Sequence, residues 1–285
     1  MCRRFLVLVL GWLPLASGQS APQTRNQLRD ETAKNIAALN QRYPGLFALT
    51  PHEKELQAAC AANCSDPEIQ AGLSAANARI TASMNEVASQ MERAIDNYIV
   101  RTVNPKHADL DRQLVAQDLK QILGEVAVGA PSAFVLDSPH ERSLIVAYTL
   151  GKGFAMGPGA TSVVLRSYHA TDKGLKVGDT TGEDMDGYAN VSVKTLPSPV
   201  PGQIWFLLWG QATGANGPNI RMRGYAYDGS KFKTVWMPAN EWGNFTIRVD
   251  TNGFTIDGEY YRNGKKRHDV YTLAPDSFYL EDLRN

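Results

Sequence analysis

The chain has 285 residues, and its 29 lysines and arginines balance its 29 aspartates and glutamates, so the formal net charge is zero. A chain of this length can bury a full-sized core in one large domain or in two smaller ones. Because no excess positive charge is available to neutralise a phosphate backbone, the composition argues against a nucleic acid as the main partner.

The N-terminus has the layout of a secretory signal peptide. Residues 2–4 are a cysteine followed by two arginines, and residues 5–16 form an apolar run. Residues 16–18 then place small side chains before a cleavage site. The apolar run is shorter than the ~20 residues of a membrane-spanning helix. We therefore expect residues 1–18 to be removed from a secreted or periplasmic protein without a transmembrane segment, with a retained N-terminal anchor as the alternative.

Removal of that segment would leave two cysteines, Cys60 and Cys64. An even count in an exported chain predicts a disulfide, and a spacing of four on a helix brings the two Cα atoms within reach. The bridge would pin a helix end and add little global stability, because the loop that it closes is short. A metal pair is the alternative, but no further cysteine or well-spaced histidine joins it.

Residues 19–130 carry almost no strand signal and predict a helical bundle or hairpin. Thr50 and Glu53 form a capping box at the start of one helix. Apolar residues from Ile69 to Tyr98 then recur in mixed steps of three and four, which predicts the buried face of a long helix or a coiled-coil-like seam. A further amphipathic helix follows.

From residue 131 the apolar period switches to two and an internal repeat appears. Residues 145–151 match residues 205–210 as an apolar strand closed by glycine, and a loop with Gly-Pro follows each. Residues 205–209 are apolar on both alternating faces, which predicts that both faces of this strand are buried. Repeats of about 50 residues are typical of propeller blades. We predict three four-strand units, at about residues 131–182, 183–240 and 241–285.

The predicted fold class is therefore α+β in separate regions: the helices of residues 19–130 precede an all-β antiparallel repeat domain at residues 131–285. Its units could be propeller-like blades, a sandwich or a prism. Propellers typically need four or more blades. A homodimer with six blades is therefore one possible arrangement.

The seam between the first two units is an acidic, glycine-punctuated loop that runs into a strand; residues 182–193 have the sequence GEDMDGYANVSV. The part from residue 184 resembles the acidic loop and strand of FG-GAP and VCBS-type repeats, which form β-propeller blades in integrin-like and secreted bacterial proteins. Loops of that family often hold calcium. The resemblance implies that Asp184, Asp186 and Asn190 supply oxygen ligands and that Gly187 makes the tight turn.

The match is partial. Gly182 stands where the family has its first acidic residue, Met185 replaces a glycine, and the other two units lack the loop. Calcium takes six to eight oxygens, so Glu183, backbone carbonyls and water would have to complete the site. An ordinary polar turn is the alternative.

The sequence contains no nucleophile elbow, zincin motif, P-loop or dinucleotide-binding fingerprint, so we assign no catalytic residue. The carboxylate candidates for a hydrolase are Asp184, Asp186 and Glu259, two of which would have to stand on opposite walls of one pocket. His268 and Asp269 follow a basic run and predict a solvated strand edge, with an anion site as the alternative. Most tryptophans and tyrosines are expected in the core, and some could line a glycan or peptide groove.

Together these patterns predict an exported, non-catalytic protein whose β-repeat domain binds a protein or a glycan at the cell envelope. A secreted hydrolase acting on glycans or esters is one alternative. A structural or assembly protein that uses the long helix as its partner face is another.

Overall fold

The fold is taken from a computed structural model, which describes residues 23–137, 142–151, 161–181, 187–212, 219–237, 242–260 and 263–280. The described helices precede the described strands, so the α+β class with a helical N-terminal region is confirmed. The helices are α1 (Arg25–Asn40), α2 (Tyr43–Leu46), α3 (Pro51–Asn63), α4 (Pro67–Thr102) and α5 (Ala108–Leu123), with 3₁₀ turns at Pro105–His107 and Gly124–Val126.

Helix α3 begins at the predicted capping box. The Glu53 amide donates to the Thr50 hydroxyl, and the Thr50 amide donates to the Glu53 carboxylate. Arg79 of α4 also donates to this carboxylate, at 2.9 Å. The Arg79 hydrogen bond is the largest of the interactions that lower the pKa of Glu53 to about 2. At the other end of α3, the structure joins Cys60 and Cys64 in the predicted disulfide.

The long stripe of α4 is core in its C-terminal half. Its fully buried members are Val87, Met91, Ile95, Tyr98 and Ile99. The N-terminal half packs beside α3, of which Glu53 is the buried residue. The predicted buried face of a long helix is therefore confirmed for the C-terminal half of α4.

The strands form three antiparallel sheets, each a meander of four consecutive strands. Sheet 1 contains β1 (Ser132–Asp137), β2 (Arg142–Gly151), β3 (Thr161–Thr171) and β4 (Gly174–Thr180). Sheet 2 contains β5 (Tyr188–Leu196), β6 (Ile204–Ala212), β7 (Asn219–Tyr227) and β8 (Phe232–Trp236). Sheet 3 contains β9 (Trp242–Val249), β10 (Gly253–Tyr260), β11 (Lys266–Leu273) and β12 (Phe278–Leu280).

One residue pair, Ile220 with Trp242, links sheets 2 and 3 into a continuous ladder. Within the described strands no sheet closes on itself. The structure therefore contains the three predicted units of strands, whereas the propeller arrangement is not established by it.

The layers pack in the order helices, sheet 1, sheet 2, sheet 3, and one hydrophobic cluster lies at each of the three contacts between them. The helices cover one face of sheet 1 at Leu144, Val146, Tyr148 and Leu150. The other face of sheet 1 packs against Phe206 and Leu208 of sheet 2. Trp205 and Leu207, on the opposite face of the same strand, pack against sheet 3 at Phe254, Ile256 and Tyr271. Both faces of β6 are buried, as its unbroken apolar sequence predicted.

An ion cluster fixes α4 to sheet 1. Arg166 of β3 lies 2.9 Å from Glu92 and 3.3 Å from Asp96, which are one helical turn apart. The Tyr168 hydroxyl donates to Asp96 at 2.6 Å. Burial raises the pKa of Asp96 despite these partners. The long helix is thus attached to the sheet by polar contacts as well as by apolar packing.

Candidate functional site

Among the layers that the structure describes, the outer face of sheet 3 is left uncovered, and it carries an open groove of about 660 Å³. This volume lies within the ~300–1,000 Å³ that small-molecule sites occupy. Unlike most such sites, the groove is lined mainly by polar and charged residues: Asn244, Phe245, Thr246, Asp257, Gly258, Glu259, Lys266, Arg267 and His268. A ligand that fits this lining offers polar groups to these side chains and apolar surface to the carbon atoms that the lining also exposes.

Two rows of outward-facing side chains form the walls of the groove. In the first wall, Asp257 of β10 lies opposite Thr246 of β9 and His268 of β11. The second wall contains Asn244, Glu259 and Lys266, and here Glu259 and Lys266 are cross-strand partners. Because side chains alternate along a strand, residues 257 and 259 stand on the same face with one residue between them.

The backbone between the two walls forms the floor. Phe245 packs inward against the core between sheets 2 and 3. Arg267 also points inward: its Nε donates to the buried carboxylate of Asp269 at 2.8 Å, and its guanidinium lies 4.8 Å from the centre of the Tyr260 ring. The third floor residue, Gly258, has no side chain.

A β-bulge shapes the second wall. The β9–β10 register shifts between Gly258 and Tyr260, so that Gly243 and Asn244 together lie opposite Glu259. A Cβ at position 258 would meet the Asn244 carbonyl oxygen and would lie 2.7 Å from Phe245 Cβ. Glycine is therefore required where the bulged strand approaches β10.

The first wall is held by ionic hydrogen bonds. The Asp257 carboxylate binds His268 Nδ1 and accepts a hydrogen bond from Arg248. The His268 hydrogen bond is the largest cause that lowers the pKa of Asp257, and the Arg248 contacts add to it. Asp257 is consequently ionised at neutral pH, and Nε2 is the ring nitrogen of His268 that can meet a ligand.

The second wall has unused hydrogen-bonding capacity. Neither Glu259 nor Lys266 makes a side-chain hydrogen bond or ion pair with the residues that the structure describes. Counted with their ion-pair partners, the cations Arg248, Lys266 and Arg267 balance the carboxylates Asp257, Glu259 and Asp269, so the groove has no net charge apart from His268. This arrangement offers both donors and acceptors to a ligand.

Among the predicted carboxylates, Glu259 lies in the groove. Asp184 and Asp186 lie outside the described residues, as does the side chain of Asn190, so the calcium site remains a prediction. Gly187 has a φ of 85°, the left-handed conformation that suits the tight turn implied by the resemblance. In the described part of the chain, no group of three or more histidine, cysteine, aspartate or glutamate side chains could hold a metal ion.

Two further predictions can be compared with the structure. The solvated-edge prediction is wrong for Asp269, which is 3% exposed because Arg267 and the inner face of the sheet cover it. His268 is exposed, but it belongs to the groove. The expectation that most rings are core is confirmed for the buried Trp205, Tyr227 and Trp236.

The sequence patterns did not point to three of the groove residues, Asp257, Asn244 and Thr246. Their signal is the alternation of polar residues along β9, β10 and β11, which is consistent with one solvent-facing side. Alternation does not reveal which residues of neighbouring strands are opposite each other, so the pairing of Asp257 with His268 could not be inferred.

Searches against protein-family profiles, curated proteins and solved structures return no match to this chain. Across the described residues, no helix combines the length and the apolar character that a membrane crossing requires.

Proposed function

We propose that the chain is an exported, non-catalytic binding protein that uses the groove of sheet 3 to hold a protein or glycan at the cell envelope. The observation that carries this proposal is the one open sheet face among the described layers. Both faces of sheets 1 and 2 and the inner face of sheet 3 are packed, whereas the outer face of sheet 3 presents two polar walls.

The signal-peptide pattern of residues 1–18 and the disulfide between Cys60 and Cys64 support the secreted or periplasmic location, because disulfides persist mainly in oxidising compartments. The proposal therefore places the groove outside the cytoplasm, where an envelope component can reach it.

We further propose that the three units are related to propeller blades, since consecutive four-strand meanders stack face to face. The resemblance of residues 184–193 to FG-GAP and VCBS-type repeats supports this relation. The helices occupy the face of sheet 1 against which another blade would pack. A six-blade homodimer would have to displace them, so we favour an arc of three blades that binds through its last sheet.

The binding proposal can be tested by retention of the purified mature chain on washed cell envelopes of the source organism. Replacement of Glu259 and Lys266 by glutamine, E259Q/K266Q, removes the two unpaired charges of the groove at constant net charge. A matched control, D172N/K176Q, likewise replaces one carboxylate and one lysine by amides, at exposed positions of the β3–β4 hairpin. We expect retention of the native chain and the control, with at least a tenfold loss in the groove variant. Equal retention of all three proteins would refute the assignment of the groove.

A hydrolase is the second candidate, because Asp257 and Glu259 stand on opposite walls of the groove. The strand rise places their Cα atoms about 6.6 Å apart, and their carboxyl groups would have to stand ~6.5–9.5 Å apart for the inverting reaction. Asp257 would serve as the base, since its pKa is lowered, and Glu259 would serve as the acid. Release of reducing ends from envelope glycans by the native chain, abolished by E259Q, would replace the binding proposal with this one.

A further inference from the structure

We propose that the ligand of this groove is a neutral glycan chain that lies across β9, β10 and β11. This inference rests on the proposed binding function and specifies its ligand class. Three properties of the groove support it: the balance of charge, the mixture of donors and acceptors, and the direction in which the walls run.

The balance of charge opposes a strongly charged ligand. Asp257 already accepts a hydrogen bond from Arg248 and binds His268 Nδ1. Glu259 and Lys266 carry opposite charges on adjacent strands. A polyanion would meet both carboxylates without an excess of cations to compensate for them, and a polycation would meet Lys266 and Arg248. An uncharged ligand avoids both costs.

The hydrogen-bonding groups suit hydroxyls, which donate and accept at once. The Glu259 carboxylate can accept from two neighbouring hydroxyls, while the Lys266 ammonium can donate to their oxygens. Asn244 and Thr246 each offer both functions along the groove. An acidic peptide would place carboxylates against Glu259 and Asp257, and it would leave these acceptors without donors.

The direction of the walls also favours a glycan chain that is held by side chains of the sheet. Each wall crosses three strands, so the floor is about 10 Å long at ~4.8 Å per strand spacing. Within the described strands, β12 pairs only with residues 271–273 and leaves backbone groups of β11 unpaired at the sheet edge beside the groove, whereas the walls stand on the face of the sheet. A peptide that adds a strand to an edge would gain nothing from them.

Affinity gel electrophoresis tests the ligand class directly. The native mature chain would be run through gels that contain dextran, galactomannan or xyloglucan as neutral probes, or polygalacturonate or chitosan as charged ones. An acidic and a basic unstructured peptide would be titrated by calorimetry in parallel. Each measurement would be repeated from about 0.1 M to about 1 M salt, which shortens the Debye length from about 10 Å to about 3 Å.

We expect at least one neutral glycan to retard the chain equally at both salt concentrations. The E259Q/K266Q variant should lose at least tenfold in affinity, and the D172N/K176Q control should retain it. Retardation by a charged polymer alone, peptide binding alone, or no retardation by any neutral probe would overturn the inference. If envelope retention persists in those cases, the broader binding proposal stands; if retention also fails, both proposals fall.

Discussion

Replacement of Arg166 by methionine is the sharpest test of how the helices are attached to the sheets. The side chains of Arg166, Glu92 and Asp96 are 14%, 19% and 13% exposed. Methionine fills a similar volume but carries no charge. Two carboxylates one helical turn apart would then lose the counter-charge of Arg166, while Tyr168 would still donate to Asp96.

Loss of one partner from a buried ion pair costs about 3–5 kcal/mol, because the other charge is left without compensation. We expect the free energy of unfolding to fall by this amount at neutral pH. For a domain of this size the melting temperature would fall by roughly 6–20 °C, at 2–4 °C per kcal/mol. The penalty should shrink as the pH falls towards about 4, because protonated carboxyls need no counter-charge.

The sign of the Asp96 contribution follows from its raised pKa. The folded protein holds this proton to a higher pH than the unfolded chain does. The stabilisation that protonated Asp96 contributes is therefore fully present below its unfolded pKa and is lost as the pH rises through its folded pKa. Removal of Arg166 takes away an interaction that lowers this pKa, so the R166M variant should lose more stability across this window than the native chain.

Denaturant unfolding followed by circular dichroism would measure these differences. The control is R93M, which removes the exposed Arg93–Glu86 pair from the same helix and should change stability by less than about 1 kcal/mol. The triple variant R166M/E92Q/D96N should recover most of the loss. A penalty for R166M no larger than that of R93M would refute the electrostatic account of this attachment.

Three further predictions concern the groove and the α3 region. G258A should destabilise the folded protein by about 1–3 kcal/mol through overpacking and should weaken envelope retention, because the new Cβ meets the Asn244 carbonyl. Native-like retention of this variant would contradict the role given to the bulge. Glu53 has a pKa lowered to about 2, so the stabilisation that it contributes is present above its unfolded pKa and is lost as the pH falls towards 2. E53Q should therefore flatten the acid limb of the curve of stability against pH, and an unchanged limb would contradict this. C60A/C64A should lower the free energy of unfolding by no more than about 2 kcal/mol, because the disulfide closes a short loop. Hydrogen exchange should become faster only at the end of α3, and faster exchange throughout the core would contradict a local role of the disulfide.

The sequence predicted the strands because each β unit has a clear local pattern. The unbroken apolar run of β6 predicted burial on both faces, and Phe206 and Trp205 indeed pack into different clusters. The capping box of α3 and the spacing of Cys60 and Cys64 were similarly local signals. Each of these features depends on residues that are near one another in the chain.

The groove could not be predicted in the same way, because it depends on long-range register. Glu259 was named as a carboxylate, but its neighbours Lys266 and Asn244 come from other strands. Which sheet would be left open was also undetermined, since the helices could have covered either end of the stack. Nothing in the local pattern indicates that they pack on sheet 1.

The bulge distinguishes the groove from an ordinary solvated sheet face. A regular ladder would set one β9 residue opposite Glu259, whereas the extra residue brings the Asn244 carbonyl against Gly258 and breaks the pairing there. Glycine weakens a strand interior, and a bulge leaves backbone groups unpaired, so both features cost stability at this position. Polar side chains alone would explain solubility without either cost. The coincidence of the bulge, the glycine and two unpaired charges at one place is what favours recognition of a ligand there.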